Sequence, residues 1–222
     1  MIVVTGGTDG LGKEIARELS PAHKIVILAP DKEKCARVAK ELKCGWEVCD
    51  VSDPIEIEIA VQDILKKHNR IDVLVNNAVI WIEGKLEHND PVHMRRVIEV
   101  NTLGTMFASR AVVRQMKKQK DGMIVNIISQ AGLYGKAERS VYAASKFAIT
   151  GFTKSLEEEL KESGVRVTGI YPGFMKTNLF KNAGVSKDMK NAIDPREIAK
   201  AVAFVVASPA LFPEIGIKYP RN

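Results

Sequence analysis

Seven short runs along this chain read as β-strands, and a stretch of helical periodicity lies between each consecutive pair. The runs cover residues 1–5, 24–28, 46–49, 71–75, 123–128, 165–171 and 214–219. Helical patterns run up to residue 19, then over about 31–42, 54–68, 91–118, 141–163 and 195–207. Strands joined through helices cannot pair by tight turns. They need right-handed crossovers and form a parallel sheet. Several of the runs are apolar throughout, as burial on both faces requires.

The expected architecture is therefore α/β: a doubly wound Rossmann fold, a seven-stranded parallel sheet in the order 3-2-1-4-5-6-7 with helices on both faces. No linker, repeat or low-complexity segment interrupts the 222 residues, so one domain is expected over 1–222. A short helical lid is expected over 178–190, within a segment reaching 192 that has Gly184 as a hinge. Ligands in such sheets lie at the carboxyl ends of the strands.

The segments with the most chemistry follow predicted strands. After the first comes Thr5-Gly6-Gly7-Thr8-Asp9-Gly10-Leu11-Gly12, leading into a helix. Gly6 permits a sharp turn, Gly10 lets backbone approach a pyrophosphate, and Gly12 lets the helix pack closely on the strand. The helix N-terminus offers free N–H groups to an anion. Ser129 follows the fifth strand, and thirteen residues later Tyr142 begins a Tyr-x-x-x-Lys pair with Lys146. Four residues apart on a helix, phenol and ammonium share one face.

Bulk properties exclude other classes. Three cysteines without a paired spacing, and four dispersed histidines, argue against a disulfide framework or a metal site. A net charge of +6 comes from basic residues scattered among acidic ones, and only 6% of residues are aromatic, which argues against nucleic acid. There is no apolar run long enough for a membrane span and no signal peptide, so a soluble, cytoplasmic protein without membrane partners is expected.

Taken in order, Thr5-Gly6-x-x-x-Gly10-x-Gly12, Asp50, Asn76-Asn77-Ala78, Asn101, Ser129, Tyr142-x-x-x-Lys146 and Pro172-Gly173 with Thr177 resemble the short-chain dehydrogenase/reductase family, over residues 1 to about 219. The resemblance implies an NAD(P)-dependent oxidoreductase that moves a hydride between the nicotinamide and an alcohol or ketone. It implies a cofactor cradle of Gly6, Thr8, Asp9, Gly10, Leu11 and Gly12, with Asp50 and Val51 at the adenine and Asn77 and Ala78 along the cofactor. Pro172, Gly173 and Thr177 would wrap the nicotinamide end. Tyr142 would be the acid/base, with its pKa lowered by Lys146 and the oxidised nicotinamide. Ser129 would polarise the carbonyl. Lys146 would also bond the nicotinamide ribose, and Asn101 would hold a water linking Lys146 to solvent. Homodimers or homotetramers pairing through the helices at 91–118 and 141–163 are implied too.

Two departures stand out. Val79 replaces a glycine frequent in the family, and is the only support for an alternative: a catalytically silent protein that senses a dinucleotide. After the second strand, the pair that selects the cofactor falls on Pro30-Asp31 or, in a second register, on Ala29-Pro30. Neither register supplies an arginine, and Asp9 would repel a phosphate, so the sequence favours NAD over NADP. The substrate is a small alcohol or carbonyl compound. Candidate pocket walls are Trp81, Ile82, Leu133, Tyr134, Phe174, Met175, Leu179 and Phe180, an apolar or mixed lining.

Overall fold

The computed structural model describes residues 1–219; the last three residues of the expected 1–222 domain lie outside the described residues. Seven strands form one sheet: β1 (Ile2–Thr5), β2 (Ile25–Ala29), β3 (Gly45–Val48), β4 (Val73–Asn76), β5 (Gly122–Ile127), β6 (Val165–Pro172) and β7 (Glu214–Ile217). All pairs are parallel, and the order is β3-β2-β1-β4-β5-β6-β7 as expected. The helices are α1 (Gly10–Leu19), α2 (Lys32–Leu42), α3 (Pro54–His68), α4 (Pro91–Ile98), α5 (Gly104–Gln119), α6 (Ser140–Leu160), α7 (Leu179–Asn182) and α8 (Pro195–Ala207).

Side-chain alternation along the strands feeds two apolar layers. Ile2, Val4, Ile27 and Val125 face Ile15 of α1 and Ile198 and Val202 of α8. Val3, Val26, Leu74 and Ile124 face the other way, toward Ile57 and Ile64 of α3 and Val112 and Met116 of α5. Each such fully buried side chain contributes about 1.5–3 kcal/mol relative to exposure. The helices start where the sequence supplies caps. Asp31, Asp53, Asp90 and Asp194 each accept from backbone N–H groups of the first turn, and Pro54, Pro91 and Pro195 follow three of them.

Two predicted helices differ in detail. The helix expected over 91–118 is interrupted by a π-turn at Glu99–Leu103, centred on Asn101. The lid is helical only over Leu179–Asn182, because Gly184 turns into the left-handed region at φ +71°. The rest of the lid is irregular. Its two ends are pinned together where Ile193 N–H donates to Phe174 O at 2.8 Å and Lys176 N–H donates to Ile193 O at 2.9 Å. No described helix is long and apolar enough to cross a membrane.

Candidate active site

The carboxyl ends of β1, β4, β5 and β6 open into one cavity of about 540 Å³. The glycine turn forms one wall. Gly6 and Gly10 take positive φ, at +65° and +50°. A Cβ on Gly12 would lie 2.3 Å from the Gly6 carbonyl oxygen, so α1 packs against the turn only because that side chain is missing. Thr5 and Asn77 hold the turn to the end of β4. The Thr5 hydroxyl accepts from the N–H groups of Asn77 (2.9 Å) and Ala78 (3.1 Å), and Asn77 Nδ2 donates to Thr5 O at 3.0 Å. Sequence reasoning gave Thr5 no such role.

Asp9 caps α1, accepting from Gly10 N–H at 2.7 Å. Its carboxylate also accepts from Asn178 Nδ2 at 3.1 Å and from Asn182 Nδ2 at 3.5 Å, which ties the lid to the glycine turn. The N–H groups of Leu11 and Gly12 have no such partner among the described residues. Thr8 lines the cavity beside them. Thr177 lies over Gly10, where an added Cβ would meet it at 3.5 Å. The cradle therefore fits a bound pyrophosphate in shape and in free donors. Pro172 and Gly173 border the cavity on the far side.

Beyond the turn, Asp50 and Val51 line the cavity with Ala29 and Pro30. Asp31 does not; it is spent on the α2 cap, accepting from Lys34 N–H at 3.0 Å. Of the two registers left open by the sequence, Ala29-Pro30 is the pair whose residues both line the cavity. Asp50 is held by the Arg96 guanidinium, which also reaches Ser52. Burial pushes the Asp50 carboxyl up, but Ser52 and Arg96 outweigh it and leave the group below its ordinary value. Val79 takes none of the positive φ angles, so its branched side chain sits without strain.

The structure brings Ser129, Tyr142 and Lys146 together at the other end. Ser129 caps a short turn, its Oγ accepting from Ala131 N–H at 3.1 Å. Tyr142 and Lys146 lie on α6 with 5% and 3% of their surface exposed. Lys146 Nζ donates to Ile127 O at 3.1 Å and sits 5.9 Å from the Tyr142 ring centroid. Burial pulls the ammonium down to about 7. Burial also pushes the phenol up to about 12, against the opposing pull of the Ser129 hydroxyl and the Arg139 charge. In the protein alone, desolvation outweighs the groups that would lower the Tyr142 phenol. Desolvation disfavours both charged forms at once.

Asn101 is fully engaged. Its Oδ1 accepts from Ile80 N–H at 2.9 Å, and its Nδ2 donates to Ile80 O at 3.0 Å and to Ser145 Oγ at 3.2 Å. The π-turn aims this amide at an irregular segment whose backbone has no strand to pair with. That segment carries Trp81, which packs against Tyr142 and, edge-on at 4.8 Å, against Phe180 of α7. Of the expected pocket walls, Trp81, Tyr134, Phe174, Met175, Leu179 and Phe180 line the cavity. Ile82 is buried behind Trp81, and Leu133 packs with Ile128 instead. Arg139, which sequence reasoning passed over, also lines this end. Its signal was its place three residues before Tyr142, at the N-cap of α6.

A doubly wound parallel sheet, with a glycine turn at its central strand and a Tyr/Lys pair on a helix across the same cavity, defines a Rossmann-type oxidoreductase. The chain belongs to the short chain dehydrogenase family, whose model matches residues 1–188. It is 32% identical to carbonyl reductase family member 4 of Xenopus tropicalis, over 93% of this chain and 90% of the relative. It is 34% identical to a 3-oxoacyl-acyl-carrier-protein reductase of Buchnera aphidicola, over 95% and 91%. A solved metagenomic short-chain oxidoreductase in complex with NADP is 31% identical, with TM-score 0.87, over 100% of this chain and 98% of that one.

Proposed function

We propose that this enzyme interconverts a carbonyl compound and its alcohol, with Tyr142 as the proton donor and acceptor. The observation that carries the reading is the convergence of Ser129, Tyr142 and Lys146 on the cavity bordered by the glycine turn. A nicotinamide dinucleotide, when bound, supplies the hydride. Gly6, Thr8, Gly10, Leu11 and Gly12 would hold its pyrophosphate, Asp50 and Val51 its adenine, and Asn77, Ala78, Pro172, Gly173 and Thr177 the rest of its length.

The proton steps belong to this chain. With its pKa near 12, Tyr142 stays protonated at neutral pH and donates to the carbonyl oxygen as charge builds there. The Ser129 hydroxyl donates a second hydrogen bond to that oxygen. The phenolate left behind draws a proton onto Lys146, and the ammonium so formed compensates it. Asn101 is a positioning residue: it fixes the backbone at Ile80 and, through it, Trp81. A non-catalytic sensor loses its one support, since Val79 sits at ordinary backbone angles.

For the cofactor, charge favours NAD. The glycine-turn end of the cavity presents Asp9 and Asp50 against one cation, Arg96, which is already paired with Asp50. A 2′-phosphate would enter next to uncompensated negative charge. The opposite preference is the second reading, because the metagenomic oxidoreductase is a complex with NADP. We also propose one domain with a lid over about 178–192, and pairing of copies through α4, α5 and α6 with the π-turn between α4 and α5, a surface on which Val92, Leu103 and Phe147 are exposed.

Titration with NADH and NADPH, followed by a panel of ketones and aldehydes monitored by loss of reduced-nicotinamide absorbance, tests the reading. Binding of one dinucleotide with turnover of a carbonyl is expected. Failure to bind either would reject it. Sedimentation showing only monomer at micromolar concentration would reject the pairing.

A further inference from the structure

The charges lining the cavity are segregated. Its carboxylates, Asp9 and Asp50, stand at the glycine-turn end with one cation, Arg96, paired to Asp50. At the tyrosine end the titratable cationic side chains are Lys136, Arg139 and Lys146, and no carboxylate lines it; burial pulls the Lys146 ammonium down. Lys146 is occupied with Ile127 O. Arg139 is held from behind: its Nε donates to Glu83 Oε1 at 3.4 Å, and its guanidinium lies 5.2 Å from the Trp81 ring centroid. Neither of its Nη groups has a hydrogen bond among the described residues. Glu83 is shared, since Lys187 of the lid reaches it at 2.7 Å. One carboxylate thus faces two cations, and the triad keeps a net positive charge. Beside it, the buried indole N–H of Trp81 has no partner among the described residues.

The geometry points to Arg139 as the anchor for an anionic group on the substrate, which makes the substrate class an oxo acid with an apolar body and its hydroxy-acid counterpart. A guanidinium fixed through Nε leaves its fork free for a carboxylate, the pairing that planar donors match best. Phe174, Phe180 and Trp81 enclose the apolar body on the same side. Arg139 is the N-cap of α6, three residues before Tyr142, near enough that its charge pulls on the phenol. A carboxylate held there therefore places a nearby carbonyl at the proton donor. The inference rests on the oxidoreductase reading for its chemistry, but not for its binding test.

The full-length protein is assayed with benzoylformate and benzoylpropionate, each against its methyl ester, in the presence of the preferred dinucleotide. The acids should exceed the esters in kcat/KM by on the order of 10- to 100-fold, the gain of a charged hydrogen-bonded contact, with most of it in KM. Arg139→Gln should collapse that ratio toward one, Arg139→Lys should restore part of it, and both variants should still bind the dinucleotide. Equal turnover of acid and ester by the wild type overturns the anchor, as does an equal loss on both in Arg139→Gln. Thermal shifts with the same four compounds separate the two claims. A shift produced by the acids alone, and lost in Arg139→Gln, upholds the anchor even if nothing is reduced, in which case the oxidoreductase reading fails. Equal shifts by acids and esters overturn the anchor whatever the turnover.

Discussion

The indole of Trp81 lies over the phenol of Tyr142, ring centroids 4.3 Å apart and planes inclined at 53°. With Phe180 from the lid, it closes Tyr142 from bulk water, and this desolvation dominates the phenol's pKa. The group proposed to donate the proton is thus covered by an aromatic neighbour on another element, sixty-one positions earlier in the chain.

Removing that neighbour should do two things. Trp81→Ala is expected to cost about 3–5 kcal/mol of stability, as large-to-small core changes do. It should also move Tyr142 back toward the ordinary tyrosine range. Urea unfolding checks the first, and ultraviolet titration of the phenol, with Tyr142→Phe as the blank, checks the second. An unmoved phenol would show that burial by Trp81 is not what raises it.

Tyr142→Phe keeps the ring and the Trp81 contact and deletes only the hydroxyl. Turnover should fall roughly 10²- to 10⁴-fold, the usual worth of a positioned acid/base. Dinucleotide affinity should stay within about threefold, less than 1 kcal/mol. Steady-state rates and fluorescence titration measure the two. Wild-type turnover in this variant would remove Tyr142 from the chemistry.

Asp9→Asn isolates a charge. Asparagine is as good a helix cap as aspartate, so α1 should keep its start. The carboxylate that opposes a 2′-phosphate is gone. The ratio of NADPH to NADH affinity should rise by about tenfold, or 1.4 kcal/mol. An unchanged ratio would mean that Asp9 does not see the ribose end of the cofactor.

Lys146 makes stability depend on pH. Between about 7 and the ordinary lysine value of 10.5, the unfolded chain keeps a proton that the folded protein has released, so stability rises with pH. Between 10.0 and about 12 the folded protein keeps the Tyr142 proton that the unfolded chain has lost, so the phenol's contribution falls. Lys146→Met should flatten the rise between pH 7 and 10, and Tyr142→Phe should soften the decline above pH 10. Chemical denaturation across this range, with both variants, measures each limb. A wild-type curve that Lys146→Met reproduces unchanged would show an ammonium that is not desolvated.

Much of this was legible in the chain itself. Strand runs such as Ile2-Val3-Val4, apolar on both sides, demanded a sheet covered on two faces, and the helical patterns expected from about Pro54, Pro91 and Pro195 begin there in α3, α4 and α8. The helical extent expected of the lid was too long because Asn178, Leu179 and Phe180 suit a helix locally. The left-handed turn at Gly184 and the closure of Phe174 on Ile193 ended it after four residues. Asn101 read as a helix-interior residue. Nothing local could show that it would open a π-turn to serve Ile80, twenty-one positions away.

The sequence by itself determined the order of the sheet, the glycine turn, and the one-turn spacing of Tyr142 and Lys146. These depend on short-range periodicity, on backbone freedom at glycine, and on the fixed pitch of a helix. Only the tertiary structure decided how the site is tuned: that Trp81 covers Tyr142, that Arg139 stands over Trp81 with its fork free, and that Asp9 ties the lid to the glycine turn. Charge and desolvation act through space between residues far apart in the chain, so their balance exists only once the elements have packed.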